Sequence, residues 1–328
     1  MTDDAARDDP LDDPLEARPP SPAAVAAVLA ALRDPQQPIP QQDLGVLASP
    51  DEATVRALIA LWPALEPPRR RELLASLEHL ATNDATLDFH RVHLTALRDA
   101  DPATRILAVR GLWEQETEEV MRLLTDLLRT DGEASVRGET ATVLGQFVVT
   151  MEFGLLSEDA AEHLAETLRD TVEDASEEDE VRGRALEALG AHSDEWVAEL
   201  IAEHYEVGAA RMRLAAVRAM GRHASDDWLP ILLHHFADDD VETRAAAATA
   251  AGQLLLEDAV PPLAELADDA EEEVRLAAVA ALGEIAGEAA EAVLIRIAQH
   301  DPDLRDAARR ALAEARLDSL DPASLDED

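Results

Sequence analysis

At 328 residues, 47% apolar, 3% aromatic and with a formal net charge of −42, the chain can bury a large core beneath a strongly acidic surface. Phosphate backbones and anionic membrane faces are disfavoured as partners, while a basic or cationic one is drawn in by the same field. The lack of cysteine excludes disulfides, thiolate metal sites and a cysteine nucleophile.

No shift in composition divides the chain, and alanine-rich segments recur throughout. That suits closely packed helices better than a β-sandwich or a doubly wound sheet. All 28 basic residues are arginine. A GC-rich genome explains this as readily as selection, and with the acidity it also fits a salt-adapted source, where an acidic surface stays solvated.

The opening, MTDDAARDDPLDDPLEARPP, is acidic and proline-rich and lacks the basic and apolar regions of a secretory signal. Residues 1–20 are therefore expected to be disordered and the protein cytoplasmic. No run approaches 18 uncharged apolar residues, so neither a transmembrane helix nor membrane insertion is predicted. Residues 21–85 read as a capping helix at 22–33 and degenerate repeats in DEATVRALIALWPAL (51–65) and RRRELLASLEHL (69–80). Terminal repeats are atypical because one face meets water. PPRRR (67–71), the one dense basic patch, reads as a helix start with solvated arginines rather than a phosphate site.

From 86 to 317 one phrase recurs. An arginine is followed eight residues later by glycine in Arg137/Gly145, Arg182/Gly190, Arg213/Gly221, Arg244/Gly252 and Arg275/Gly283. Arg105/Trp113 and Arg305/Ala313 keep the frame with the glycine replaced, and successive arginines lie 32, 45, 31, 31, 31 and 30 residues apart. Three residues after the arginine stands a small side chain (Ala108, Thr140, Ala185, Ala216, Ala247, Ala278, Ala308). Seven after it stands an apolar one (Leu112, Leu144, Leu189, Met220, Ala251, Leu282, Leu312), completing one helical stripe. Acids four residues before it (Asp101, Glu133, Glu178, Asp240, Glu271, Asp301, with Ala209 the exception) suit a helix N-terminus. The glycine near the helix end predicts a left-handed cap. DEWVAELIAEHY (194–205) and DDWLPILLHHF (226–236) are first helices, so each unit is a helical hairpin and the fold class is an all-α solenoid. The 45-residue interval predicts an insertion near 147–180, an extra turn and loop. Residues 318–328 are expected to be a disordered acidic tail.

This phased pattern resembles the HEAT-repeat family, and within it the phycobilisome-lyase-type HEAT-like repeats, over residues 86–316. The resemblance implies an armadillo-like α-solenoid that holds other proteins. It also implies a ladder in which an aspartate six residues before each arginine pairs with arginines of neighbouring repeats. Asp99, Asp131, Asp238 and Asp269 match that place beside Arg105, Arg137, Arg244 and Arg275. Ser176, Val207 and Gln299 depart from it, and no ladder acid is implied at those three joints.

Two enzymatic branches share such repeats. The chain resembles, at the level of fold, the deoxyhypusine hydroxylases, which hold a di-iron centre through His-Glu dipeptides; none of the ten histidines here is followed by glutamate. The reversed pairs Glu78-His79, Glu162-His163 and Glu203-His204 share no repeat position. His192 and His223 stand two residues after the repeat glycine, and His204 and His235 nine before the next arginine. His192 and His204 would lie about 18 Å apart along one helix and cannot meet at a metal. The bilin lyase branch offers no local signature, and neither a nucleophile elbow nor a glycine-rich phosphate loop is present. No catalytic, cofactor-binding or metal residue is assigned. A non-enzymatic scaffold or adaptor is the expected function, and an enzyme or cofactor-handling protein of those two branches is the alternative. Trp196 and Trp228 stand 32 apart, one repeat position written twice. A stacked core or rim pair is expected there, with a recognition hot spot as the alternative.

Solenoids of this kind bind along the concave face made by one helix of each repeat. Positions one and five after the arginine lie side by side on the second helix. Plus three and plus six are uniformly small and build the stack, whereas plus five varies. Arg110, Thr142, Glu187, Arg218 and Thr249 are therefore the candidate surface for another protein or a peptide segment, with no nucleic acid expected. Their arginines suit a carboxylate while the whole field favours a basic partner; the field governs approach and the local residues set register.

Overall fold

The computed structural model describes residues 21–318, which contain seventeen α-helices joined by short connections, with no strand among them. The expected disordered ends, 1–20 and 319–328, lie outside the described residues; Asp318 itself closes the last helix. The chain divides into two units, Met1–Gly111 and Leu112–Asp328.

In the first unit, α1 (Pro22–Arg33) is capped by Ser21, whose hydroxyl accepts from Ala24 N–H at 3.2 Å, with Pro22 at the first helical position. α2 (Glu52–Leu61) starts on Asp51 in the same way, at 2.7 Å from Thr54 N–H. α3 (Pro67–Asn83), α4 (His90–Ala96) and α5 (Pro102–Arg110) follow. Leu32, Leu44, Leu58, Leu73, Leu74 and Leu77 form the buried centre. PPRRR does begin a helix, but its arginines are not left to solvent. Arg69 donates to Ala31 O at 3.2 Å, Arg70 to Leu65 O at 2.8 Å and to Asp99 at 2.7 Å, and Arg71 to Asp101 at 2.8 Å. The last carbonyls of α1 and the fully buried Asp99 carboxylate need donors, and a guanidinium offers five in a fixed fork. Trp62 Nε1 completes Asp99 at 2.6 Å.

The second unit is six hairpins. They are α6 (Glu118–Thr130) with α7 (Ala134–Glu152), α8 (Glu158–Glu173) with α9 (Asp179–Leu189), and α10 (Glu195–Val207) with α11 (Ala210–Arg222). Then come α12 (Leu229–His235) with α13 (Val241–Gln253), α14 (Val260–Leu266) with α15 (Glu272–Ile285), and α16 (Gly287–His300) with α17 (Arg305–Asp318). The second helices stack in chain order from α7 to α17, and each packs on its own first helix. The stripe is the reason: Ala185, Ala216, Ala247 and Ala278 at plus three, and Leu189, Met220, Ala251 and Leu282 at plus seven, are all buried. Thr140 takes a plus-three place because its buried hydroxyl donates to Val136 O at 2.8 Å within α7. Among the described residues no helix is long and apolar enough to cross a membrane.

The repeat glycines are not left-handed caps, since none of them has positive φ. Gly221 and Gly252 lie inside α11 and α13, where a Cβ would stand 2.5 Å from Ala250 Cα and 2.6 Å from Ala281 Cα. Each glycine meets the plus-six alanine of the next repeat, so the pair sets how closely consecutive helices approach. Left-handed backbone falls instead at plus eleven, on Ala224 (φ 30°), Leu255 (55°) and Ala286 (52°), because the helices continue past the glycine before turning.

The insertion is mostly helix rather than loop. α7 has 19 residues and α8 has 16, against 13 in α13 and 7 in α12. Helix satisfies the added backbone polar groups internally, which an extended loop cannot. Buried Ala160, Leu164, Thr167, Leu168 and Val172 give α8 one packed face.

Candidate partner-binding surface

The anchor arginines first turn back on their own connections. Arg105 Nη1 donates to Asp99 O at 2.7 Å, Arg137 to Asp131 O at 2.7 Å, Arg244 to Asp238 O at 2.9 Å and Arg275 to Asp269 O at 3.0 Å. Each aspartate carboxylate also accepts the N–H two residues on, as Asp269 does from Glu271 at 2.8 Å. Arg244 reaches forward to the next repeat, with two bonds of 2.9 and 3.0 Å to Asp269. Asp238 is bonded to His235 at 3.0 Å, and Arg213 turns to Gly208 O at 3.2 Å. At the insertion Ser176 has no carboxylate, yet the joint is bridged: Glu177, one residue later, accepts from Arg137 Nε and Nη2, each at 2.7 Å. A guanidinium's reach tolerates that shift. The Arg137 bonds hold the Glu177 carboxyl below its ordinary value, and Glu177 in turn raises Arg137.

The stabilisation from Glu177 is thus present at neutral pH and is lost as pH falls below the ordinary glutamate range and through the lowered folded value. Glu177→Gln is expected to cost about 1 kcal/mol at pH 7 in urea unfolding, and a double-mutant cycle with Arg137→Met should assign most of it to this pair. Additive single effects would remove the bridge from the account.

Beside these arginines and aspartates, α9, α11 and α13 form an open groove of about 760 Å³ that Arg213, His235 and Asp238 also line. Glu187 and Arg218 line it, with Glu180, Arg184, Arg211 and Glu242. Arg218 is bonded to Glu187 at 3.3 Å and to Glu242 at 2.8 Å, Arg184 to Glu180 at 3.1 Å, and Arg211 also to Glu180. An adjoining groove shares Glu187, Arg218 and Glu242 and adds Thr249 and Glu273. Glu187, Arg218 and Thr249 therefore belong to one continuous surface. Thr142 is exposed on α7, and Arg110 is exposed at the end of α5 in the first unit. The hydroxyls of Thr142 and Thr249 donate to Gly138 O and Ala245 O, so each keeps only acceptor capacity outward.

Glu180, Arg211, Glu242 and Glu273 were not expected. They lie two residues before the anchor arginine, and with plus two and plus five they make a helical i, i+4, i+7 stripe. Counting forward from the arginine hides that stripe, because its first member precedes the anchor.

His192, His223 and His235 are engaged in packing and hydrogen bonding. Trp228 Nε1 donates to His223 Nδ1 at 3.2 Å, and Trp196 sits edge-on to His192 with centroids 5.6 Å apart. Arg169 lies 5.0 Å over the Trp196 ring. Each repeat-related tryptophan thus rests on the histidine of its own connection rather than stacking on the other tryptophan. His192 also pairs with Glu152, and Ser193 Oγ donates to that carboxylate at 2.7 Å. His235 bonds Tyr205 at 2.9 Å. Burial pushes His204 and His223 below the ordinary histidine value. Among the described residues no three carboxylates or histidines are gathered as a metal site.

A family model described as HEAT repeats matches residues 92–175, 173–251 and 236–313. No curated protein matches the sequence. Among solved structures, human deoxyhypusine hydroxylase in complex with glycerol is similar at 21% identity, covering 90% of this chain and 96% of that one, with a TM-score of 0.35. The complex of CpcE and CpcF of phycocyanin lyase from Nostoc sp. is 19% identical over 96% of this chain and 99% of that one, with a TM-score of 0.45. A chain from the structure of Kap95p bound to RanGDP is 14% identical over 91% of this chain and 46% of that one, also at 0.45.

Proposed function

This chain belongs to the HEAT-repeat family, and we propose on that premise that it is a non-enzymatic scaffold holding a partner protein or peptide along the second helices of its repeats. The observation that carries the reading is the groove of alternating charge, Glu187–Arg218–Glu242 beside Glu180–Arg211, at positions outside the buried stripe. Partly solvated pairs of this kind contribute only about 0–1 kcal/mol each, so each can exchange an internal partner for a carboxylate or guanidinium of a bound segment at small net cost. The net charge of −42 draws a basic partner in, and the local pairs decide where it sits.

Reversing Arg218 (Arg218→Glu), with circular dichroism and Tm unchanged, should weaken capture of the native partner by about tenfold or more, the equivalent of one lost charge contact. Undiminished capture at the source's own salt level discards this face. Bound iron or a visible chromophore in the purified protein would move the reading to the enzymatic branches.

A further inference from the structure

We propose a second docking surface, separate from the groove: Trp113, Phe153 and Leu155, presented by successive hairpin connections in an acidic surround, anchor a basic amphipathic segment of a partner protein. Trp113 occupies the place where other repeats carry the packing glycine. Because α5 stops at Arg110, the indole falls beyond the helix and is 54% exposed. Phe153 and Leu155 are 75% and 68% exposed. The six other tryptophans and phenylalanines are buried or half-buried, so this exposure is not the chain's habit with aromatics.

These side chains stand on ordered backbone. Leu155 N–H donates to Thr150 O at 3.1 Å and Gly154 N–H to Met151 O at 2.9 Å, with Gly154 at φ 68°, the paired bonds of a Schellman helix end. In that motif the residue after the glycine ordinarily packs back on its helix, whereas Leu155 is turned out. The neighbouring connection is tied to this one: Ser157 N–H donates to Glu118 at 2.8 Å and Gln146 to Glu116 at 3.3 Å.

Charge selects the occupant. Glu114, Glu116, Glu119, Glu158 and Asp159 are exposed around the apolar tips, and no arginine occurs in 111–121 or 146–162. A second copy of this chain, itself at −42, and a nucleic acid are both repelled. A lysine- or arginine-rich helix with apolar residues on one face satisfies both the tips and their rim.

The probe is a fluorescein-labelled 18-residue leucine–lysine peptide with its leucines on one helical face, beside an isomer whose leucines are dispersed. Anisotropy titrations with the full chain should show the amphipathic peptide bound at least tenfold tighter than its isomer. The Trp113→Ser/Phe153→Ser/Leu155→Ser variant should lose that preference with circular dichroism and Tm unchanged. Trp113→Ser alone should lose part of it, which keeps the test alive if the triple variant folds poorly. Arg218→Glu should retain the preference, separating this surface from the groove. Three results overturn the proposal: equal binding of both peptides by the wild type, an undiminished preference in the serine variants, or a wild-type dimer in sedimentation that the serine variants abolish.

Discussion

Leucine at Gly252 is expected to destabilise the second unit by about 3 kcal/mol, read as a lower midpoint in urea unfolding followed by circular dichroism. The intrinsic helix preference runs the other way, since glycine is about 0.8–1 kcal/mol less favourable than alanine or leucine inside a helix. Packing decides the sign. A Cβ at this position would lie 2.6 Å from Ala281 Cα and 2.7 Å from Ala281 Cβ. The first of these is backbone, which cannot rotate aside, so α13 and α15 must separate. Separation opens gaps along the buried stripe at Ala247, Ala251, Ala278 and Leu282. Ala281→Gly should return only part of the loss, because it removes the Cβ contact and leaves the Cα one. Leucine at Ala280, which is exposed on α15, should stay within about 0.5 kcal/mol of wild type. A Gly252→Leu protein as stable as wild type would mean the joint is not close-packed.

Acidification from pH 7 to pH 4 should cost the first unit about 3 kcal/mol through His93 alone. His93 is 2% exposed, and its Nδ1 has no hydrogen-bond partner. Burial pushes its pKa down to about 4, against the weaker opposing pull of Asp88. The folded value thus lies below the unfolded one. Above the unfolded value both states are neutral and pH has no effect through this group. As pH falls below it, the unfolded chain takes up a proton that the folded chain refuses, and stability drops until the folded pKa is reached. The ring cannot make room beside itself: Gly111 closes over it so tightly that any Cβ there would lie on the imidazole. Acidification also relieves the self-repulsion of a surface at −42, which acts in the opposite direction. The informative quantity is therefore the difference between wild type and His93→Leu, measured in urea at pH 7 and pH 4. A difference that does not change with pH sinks the prediction. His204 and His223, half-buried and shifted the same way, should add smaller losses of like sign in the second unit.

Particular residues show where legibility ended. The arginine frame marked the hairpins because Asp101-Pro102 and Asp240 announce helix starts over three or four residues, and Asp101 and Asp240 do accept the N–H of Thr104 and Thr243. The repeat glycine is ambiguous in sequence because one residue type serves either a left-handed turn or a close approach, and its neighbours along the chain do not distinguish them. Ser176 suggested a break in the acid–arginine series that Glu177 bridges, since side-chain reach makes a one-residue shift harmless. Of the five candidate partner-binding residues, Glu187, Arg218 and Thr249 come onto one surface, but Glu242, which holds Arg218 from the side opposite Glu187, is visible only across the stack.

Periodicity, capping and apolar phasing act over a few residues, so the repeat length, the helical hairpin and the stacking face can be read along the chain. The glycine–alanine approach at Gly252 and Ala281, the burial of His93 and the outward turn of Trp113 depend on atoms that meet between elements. Those meetings are set by where each helix stops and how near the next one lies, and no local pattern carries that distance.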